Sequence, residues 1–139
     1  MIMEKHSERL SRMSFSQTFV MSNKVREMKA KGLDVISLTL GEPDFDVPQN
    51  IKEAAFEAIN NNFSHYSPVP GFLDLRQAIC EKLKRDNNLD YLPSQICVSN
   101  GAKQAILNVL ASVLNDGNEV ILPAPYWVSY DEMVKMMGG

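Results

Sequence analysis

Two cysteines, two histidines and one tryptophan in 139 residues leave little room for several kinds of chemistry. Cys80 and Cys97 have neither metal-ligand spacing nor the density of a disulfide scaffold, and both read as small core residues, Cys80 in a helix and Cys97 in a buried strand. His6 and His65 stand far apart and near no convincing carboxylate pair, so no metal site is expected. Positive charge is scarce as well. With 14 Lys and Arg against 17 Asp and Glu, the net charge of -3 excludes the clustered cations that neutralise nucleic-acid phosphates. No apolar run approaches membrane-spanning length, and the polar start from Met1 to Leu10 is not a secretory signal. The expected compartment is the cytoplasm, with neither membrane nor nucleic acid as partner. Repeats and low-complexity stretches are also missing.

What is present is ordinary for one globular domain: 45% apolar and 22% charged residues, enough for a real core. The eight methionines fall between Met1 and Met28 and between Met133 and Met137, which concentrates adaptable apolar contacts at the two ends.

The chain is organised around Ile96 to Ile106. A short β-rich run stops at Ser99-Asn100-Gly101 and reopens as an amphipathic segment, a strand, tight turn and helix. Such a turn leaves the first N–H groups of the helix without intrahelical partners at the positive end of its dipole, where a phosphate-sized anion can sit. On these residues alone a simple capped turn is the commoner explanation.

In chain order, Met1 to Thr18 has no sustained apolar period and reads as an arm lying on another surface. A helix is expected from Ser22 to Gly32, then a strand over Val35 to Leu40 ending in the loop Gly41-Glu42-Pro43-Asp44-Phe45-Asp46. Pro48 suits a first helical turn, with Ile51, Ala54, Ala55, Ala58 and Ile59 on one face. The loop His65 to Gly71 follows, and then a helix from Asp74 with Leu75, Ala78, Ile79 and Leu83 inward and a solvated charged face. The helix from Ala102 to Leu114 is apolar over much of its circumference and is expected inside a layered domain. With Glu119 to Leu122 as a second strand, this makes a right-handed βαβ unit with parallel strands. Ligands in such sheets sit at the carboxyl ends of strands, and both Asn100-Gly101-Ala102 and Pro123 to Trp127 fall there. A last helix starts near Val128 or Ser129.

Four quoted motifs resemble a known family: Leu40-Gly41-Glu42-Pro43-Asp44-Phe45, Tyr66 ahead of Pro70-Gly71-Phe72-Leu73-Asp74-Leu75-Arg76, Ser99-Asn100-Gly101-Ala102-Lys103-Gln104-Ala105, and Pro125-Tyr126-Trp127-Val128-Ser129-Tyr130. In order and spacing they are similar to the class I, fold type I aminotransferases that use pyridoxal 5'-phosphate, and most similar to aspartate aminotransferases. The resemblance implies an α/β fold, the front part of the pyridoxal-phosphate transferase fold. It places an arm and part of a small domain in residues 1–45 and the beginning of a large, mostly parallel cofactor-binding domain in 46–139. Gly101, Ala102 and Lys103 would hold the cofactor phosphate, Trp127 would lie on the pyridine ring and meet substrate, Gly41 would meet the substrate carboxylate, and Tyr66 would reach the phosphate of the neighbouring subunit of a homodimer. The substrates implied are amino acids and 2-oxo acids, L-aspartate and 2-oxoglutarate first.

In the family the Schiff-base lysine, the Asp under the pyridine nitrogen and a substrate-clamping Arg lie later in the chain. None of the nine lysines here falls in such a stretch, so no catalytic residue is assigned and a truncated, inactive portion is expected. Some family relatives that also accept prephenate carry a lysine in the N-terminal segment where this chain has Ser14, so the resemblance does not carry that side activity over. Two readings of other classes stay open beside this one: a non-catalytic module that binds a phosphorylated ligand, and a dimerisation segment.

Overall fold

The computed structural model describes residues 6–139, so the Met1 to Lys5 part of the expected arm lies outside the described residues. In chain order the helices are α1 (Glu8–Ser11), α2 (Gln17–Ala30), α3 (Gln49–Asn60), α4 (Leu73–Asn87), α5 (Gly101–Val113) and α6 (Ser129–Met136), with a 3-10 turn at Pro93–Gln95 before α5. The chain divides into two compact units, Met1–Glu42 with Gly101–Gly139, and Pro43–Asn100.

In the first unit, the arm is more regular than its sequence suggests. Ser7 caps α1 by accepting the Leu10 N–H at 3.3 Å, the usual role of a serine at a helix start. Helix α2 begins at Gln17, ahead of the expected Ser22, because Thr18, Phe19 and Val20 continue the helix without lengthening its apolar stripe. Helix α5 packs on α6, and α1 also packs on α6. The turn after α5 is fixed by Asn115 N–H donating to Asn118 Oδ1 at 2.7 Å and by Gly117 N–H donating to Gly138 O at 2.8 Å. Met133 and Val134 of α6 are the buried apolar side chains among the described residues.

The second unit is held by a polar staple. Arg76 of α4 donates from Nε to Gly71 O at 3.1 Å and from Nη1 to Pro93 O at 2.8 Å. Val98 N–H donates to Pro70 O at 3.0 Å, so the Pro70-Gly71 turn and the segment after Pro93 are tied together. Gly71 has φ +97°, and a Cβ there would stand 2.8 Å from Val98 Cγ2. Only glycine meets both constraints without strain. Phe63 and Phe72 rings pack beside this turn with centroids 4.8 Å apart.

Three expectations are corrected. Val35 to Leu40, Ile96 to Ser99 and Glu119 to Leu122 are neither strands nor helices, and no ladder forms among the described residues. A strand exists only beside a hydrogen-bonding neighbour, and the Val98 N–H donates to the Pro70 turn. Cys97 is exposed and Cys80 only half-buried, because the segment expected to bury Cys97 has no sheet around it. Helix α5 carries no buried residue, with Val109 and Val113 59% and 62% exposed, so its wide apolar surface is not enclosed by the described residues. The inward face of α4 is likewise partial, with Leu75 exposed and Ile79 and Leu83 half-buried, whereas Glu81, Lys82, Lys84 and Arg85 are solvated as expected.

Candidate functional site

The turn that opens α5 is open and exposed. Gly101 adopts φ +81°, and a Cβ built there meets nothing within 4 Å. Gly101, Ala102 and Lys103 are all exposed. Their N–H groups lie in the first helical turn, where no intrahelical acceptor exists and the dipole is positive. A phosphate fits this end: the approach is open and the donors come from the backbone. Lys103 also lines a cavity of about 940 Å³ together with Leu107 of α5, and Tyr126 and Val128 line the same cavity. Lys103 and Leu107 of α5 and Tyr126 and Val128 ahead of α6 therefore border one space in this unit.

Trp127 lies between those two lining residues and is 47% exposed. Like most large apolar side chains of the described residues, it is not enclosed. The Ala124–Pro125 peptide just before it is cis. Gly41 belongs to the same unit, lies in irregular backbone, and has nothing within 4 Å of a built Cβ. Tyr66 belongs to the other unit and is fully exposed.

One charged cluster was not foreseen. Glu132 of α6 accepts the Ser14 N–H on Oε2 at 2.7 Å and Lys135 Nζ on Oε1 at 3.2 Å. Lys135 Nζ also donates to Asp131 Oδ2 at 2.7 Å. The Ser14 N–H chiefly holds the Glu132 carboxyl below the usual carboxylate range; burial opposes it, and Lys135 adds smaller lowering effects. Hydrogen bonds to Asp131 and then Glu132 raise the Lys135 ammonium above its ordinary value. The spacing of Asp131, Glu132 and Lys135 on one helix was readable as an i,i+3 and i,i+4 ion set. The Ser14 partner, from the far end of the chain, was not.

No helix among the described residues is long and apolar enough to cross a membrane. The sequence model of the family described as Aminotransferase class I and II matches residues 33–139. The chain is 53% identical over 133 residues to a probable aspartate/prephenate aminotransferase of Rhizobium leguminosarum bv. phaseoli, covering 96% of this chain and 33% of that one. It is 46% identical to an aspartate aminotransferase of Bacillus subtilis, covering 97% and 34%. Among solved structures it superposes on the aspartate aminotransferase of Thermus thermophilus with maleate at TM-score 0.93 and 42% identity, over 99% of this chain and 36% of that one. The chain thus spans about a third of the length of the curated relatives it matches.

Proposed function

The chain belongs to the class I and II aminotransferase family, and from that premise we propose that the protein moves an amino group between L-aspartate and 2-oxoglutarate with pyridoxal 5'-phosphate. The observation that carries this reading is the open, exposed N-terminal turn of α5 at Gly101. When bound, the cofactor supplies an electron sink for bonds at the amino-acid α-carbon. This chain's part is binding and orientation. The N–H groups of Gly101, Ala102 and Lys103 hold the phosphate at the positive end of α5. Trp127 presents a flat apolar face to the pyridine ring, and stacking there fixes the ring's angle to the reacting atoms. The backbone N–H of Gly41 meets the substrate carboxylate. Tyr66, with no burial of its own, extends its hydroxyl toward the phosphate of a second subunit, so the working protein in this reading is a cytoplasmic homodimer.

The proton-transferring lysine, the partner of the ring nitrogen and the arginine for the substrate's carboxylate come from the part of the family fold that this chain does not cover. Residues 1–45 belong to the arm and small domain in this reading, and 46–139 open the large domain.

A second acceptor is raised by the relative whose name includes prephenate. Position 14 here is serine, whose neutral side chain offers no cation to an additional carboxylate. The reading is therefore 2-oxoglutarate in preference to prephenate.

The test is a coupled assay on the full-length protein with pyridoxal phosphate. Aspartate with 2-oxoglutarate is expected to give oxaloacetate and glutamate in equal amounts, with prephenate a poorer acceptor and the 139-residue chain alone inactive. Absence of oxaloacetate from the full-length, cofactor-loaded protein, or turnover by the short chain above a mock purification, would contradict it.

A further inference from the structure

The stretch that leads into α2 has little to hold it by ordinary means. Helix α1 is four residues long and carries no buried residue, and a helix so short has no stability of its own. Its apolar neighbours give little hold, since Leu10 is 50% and Phe15 90% exposed. Residues 13–16 have no regular structure. Yet Met13 and Ser14 of this arm line the cavity of about 940 Å³ together with Leu107 of α5 and Met133 and Met136 of α6.

Two of the lining residues, 118 positions apart, are joined directly by a hydrogen bond from Ser14 N–H to Glu132 Oε2 at 2.7 Å. It is a bond to an ionised acceptor, roughly twice as strong as one between neutral groups. The second carboxylate oxygen of Glu132 is held by Lys135, which is itself anchored to Asp131. The carboxylate is thus oriented from its own helix and offers one oxygen to the arm. Asp131 touches only the lysine in this set, so it supports the cluster without touching the arm.

We infer that Glu132 is a positioning residue that fastens the N-terminal arm to α6, so that Met13 and Ser14 keep their place in the cavity lining. The fastening stands on geometry alone. Its consequence for turnover rests on the function proposed above: a released arm leaves substrate less enclosed while the phosphate turn on α5 is untouched.

Residue-resolved hydrogen exchange on the full-length protein tests this with Glu132→Ala, the isosteric Glu132→Gln and the control Asp131→Asn. The Ser14 amide should exchange at least tenfold faster in Glu132→Ala, by an intermediate factor in Glu132→Gln, whose neutral oxygen still accepts, and by a smaller factor than either in Asp131→Asn. Amides of α6 should keep their protection in all three. KM for the amino acid should rise several-fold in Glu132→Ala, with cofactor affinity unchanged. Unchanged Ser14 exchange in Glu132→Ala overturns the inference, as does an equal effect of Asp131→Asn. Faster Ser14 exchange with an unmoved KM upholds the fastening and counts against the proposed use of the cavity.

Discussion

Trp127 separates a binding role from a packing role more cleanly than any other side chain here. A tryptophan that serves the core is enclosed, and this one is 47% exposed. Replacing it by leucine in the full-length protein keeps an apolar side chain but removes the stacking face, which contributes about 0.5–1.5 kcal/mol beyond area for an aromatic pair. Weaker cofactor binding by about that amount is expected, with the apo melting temperature nearly unchanged. Equal loss of stability in apo and holo forms at unchanged affinity would make Trp127 a packing residue. Glu132 gives a pH prediction of definite sign. Its folded pKa is depressed, chiefly by the Ser14 N–H, so its stabilisation is fully present above the ordinary carboxylate range and is lost as pH falls through the lower folded value. Lys135, raised chiefly by Asp131, contributes below the ordinary lysine range and loses that contribution only as pH rises past its elevated value. The arm should therefore stay fastened at neutral pH and loosen in acid. Asp131 and Lys135 share the cluster, and His6 and Lys103 line the same cavity, so the Ser14 exchange rate should be titrated in wild type and Glu132→Gln. A profile identical in both would remove Glu132 as the cause.

Among the elements, the turn at Gly71 is the most constrained. Its φ of +97° and its distance from Val98 mean that even alanine forces a shift. Gly71→Ala should cost about 1–3 kcal/mol, the range for strain at such a backbone position, read as a lower melting temperature of the full-length protein. An unchanged melt would show that the Pro70 to Val98 tie is not holding this unit. Helices were largely legible in the sequence, since Pro48, Gly32 and the Asn115-Asp116-Gly117 stop are local signals and α3, α5 and α6 fall within a residue or so of their expected bounds. The start of α2 was less so, because its first turn adds no periodic apolar residue. The extended segments at 35–40, 96–99 and 119–122 form no ladder among the described residues for a different reason. β-branched composition says that a segment suits a sheet, but a ladder depends on neighbours that no local pattern specifies. Arg76 shows the same limit. Its place in a motif was visible, while its two carbonyl partners, Gly71 and Pro93, depend on how α4 meets the 3-10 turn. Gly101 was legible because the turn and the helix start are encoded in adjacent residues.

At the scale of the whole molecule, the described residues expose an unusual amount of apolar surface. Ile36, Leu38 and Ile121 are 87%, 91% and 90% exposed, in the very segments whose sequences suit a sheet, although a protein surface tolerates scattered apolar residues. The same path is followed by a third of the Thermus thermophilus enzyme at TM-score 0.93. The central claim is that α5 presents its N-terminus to the phosphate of pyridoxal phosphate, and comparing two forms of the ligand tests it. Equilibrium titration of the stripped full-length protein with pyridoxal phosphate and with pyridoxal, in wild type and Gly101→Val, isolates the phosphate's contribution. Wild type should prefer the phosphorylated form by about a hundredfold or more, as expected for several bonds to an ionised group at roughly 1.5–3 kcal/mol each, and Gly101→Val should lose most of that preference. Equal affinity of wild type for both forms, or a preference that Gly101→Val leaves intact, would contradict the assignment.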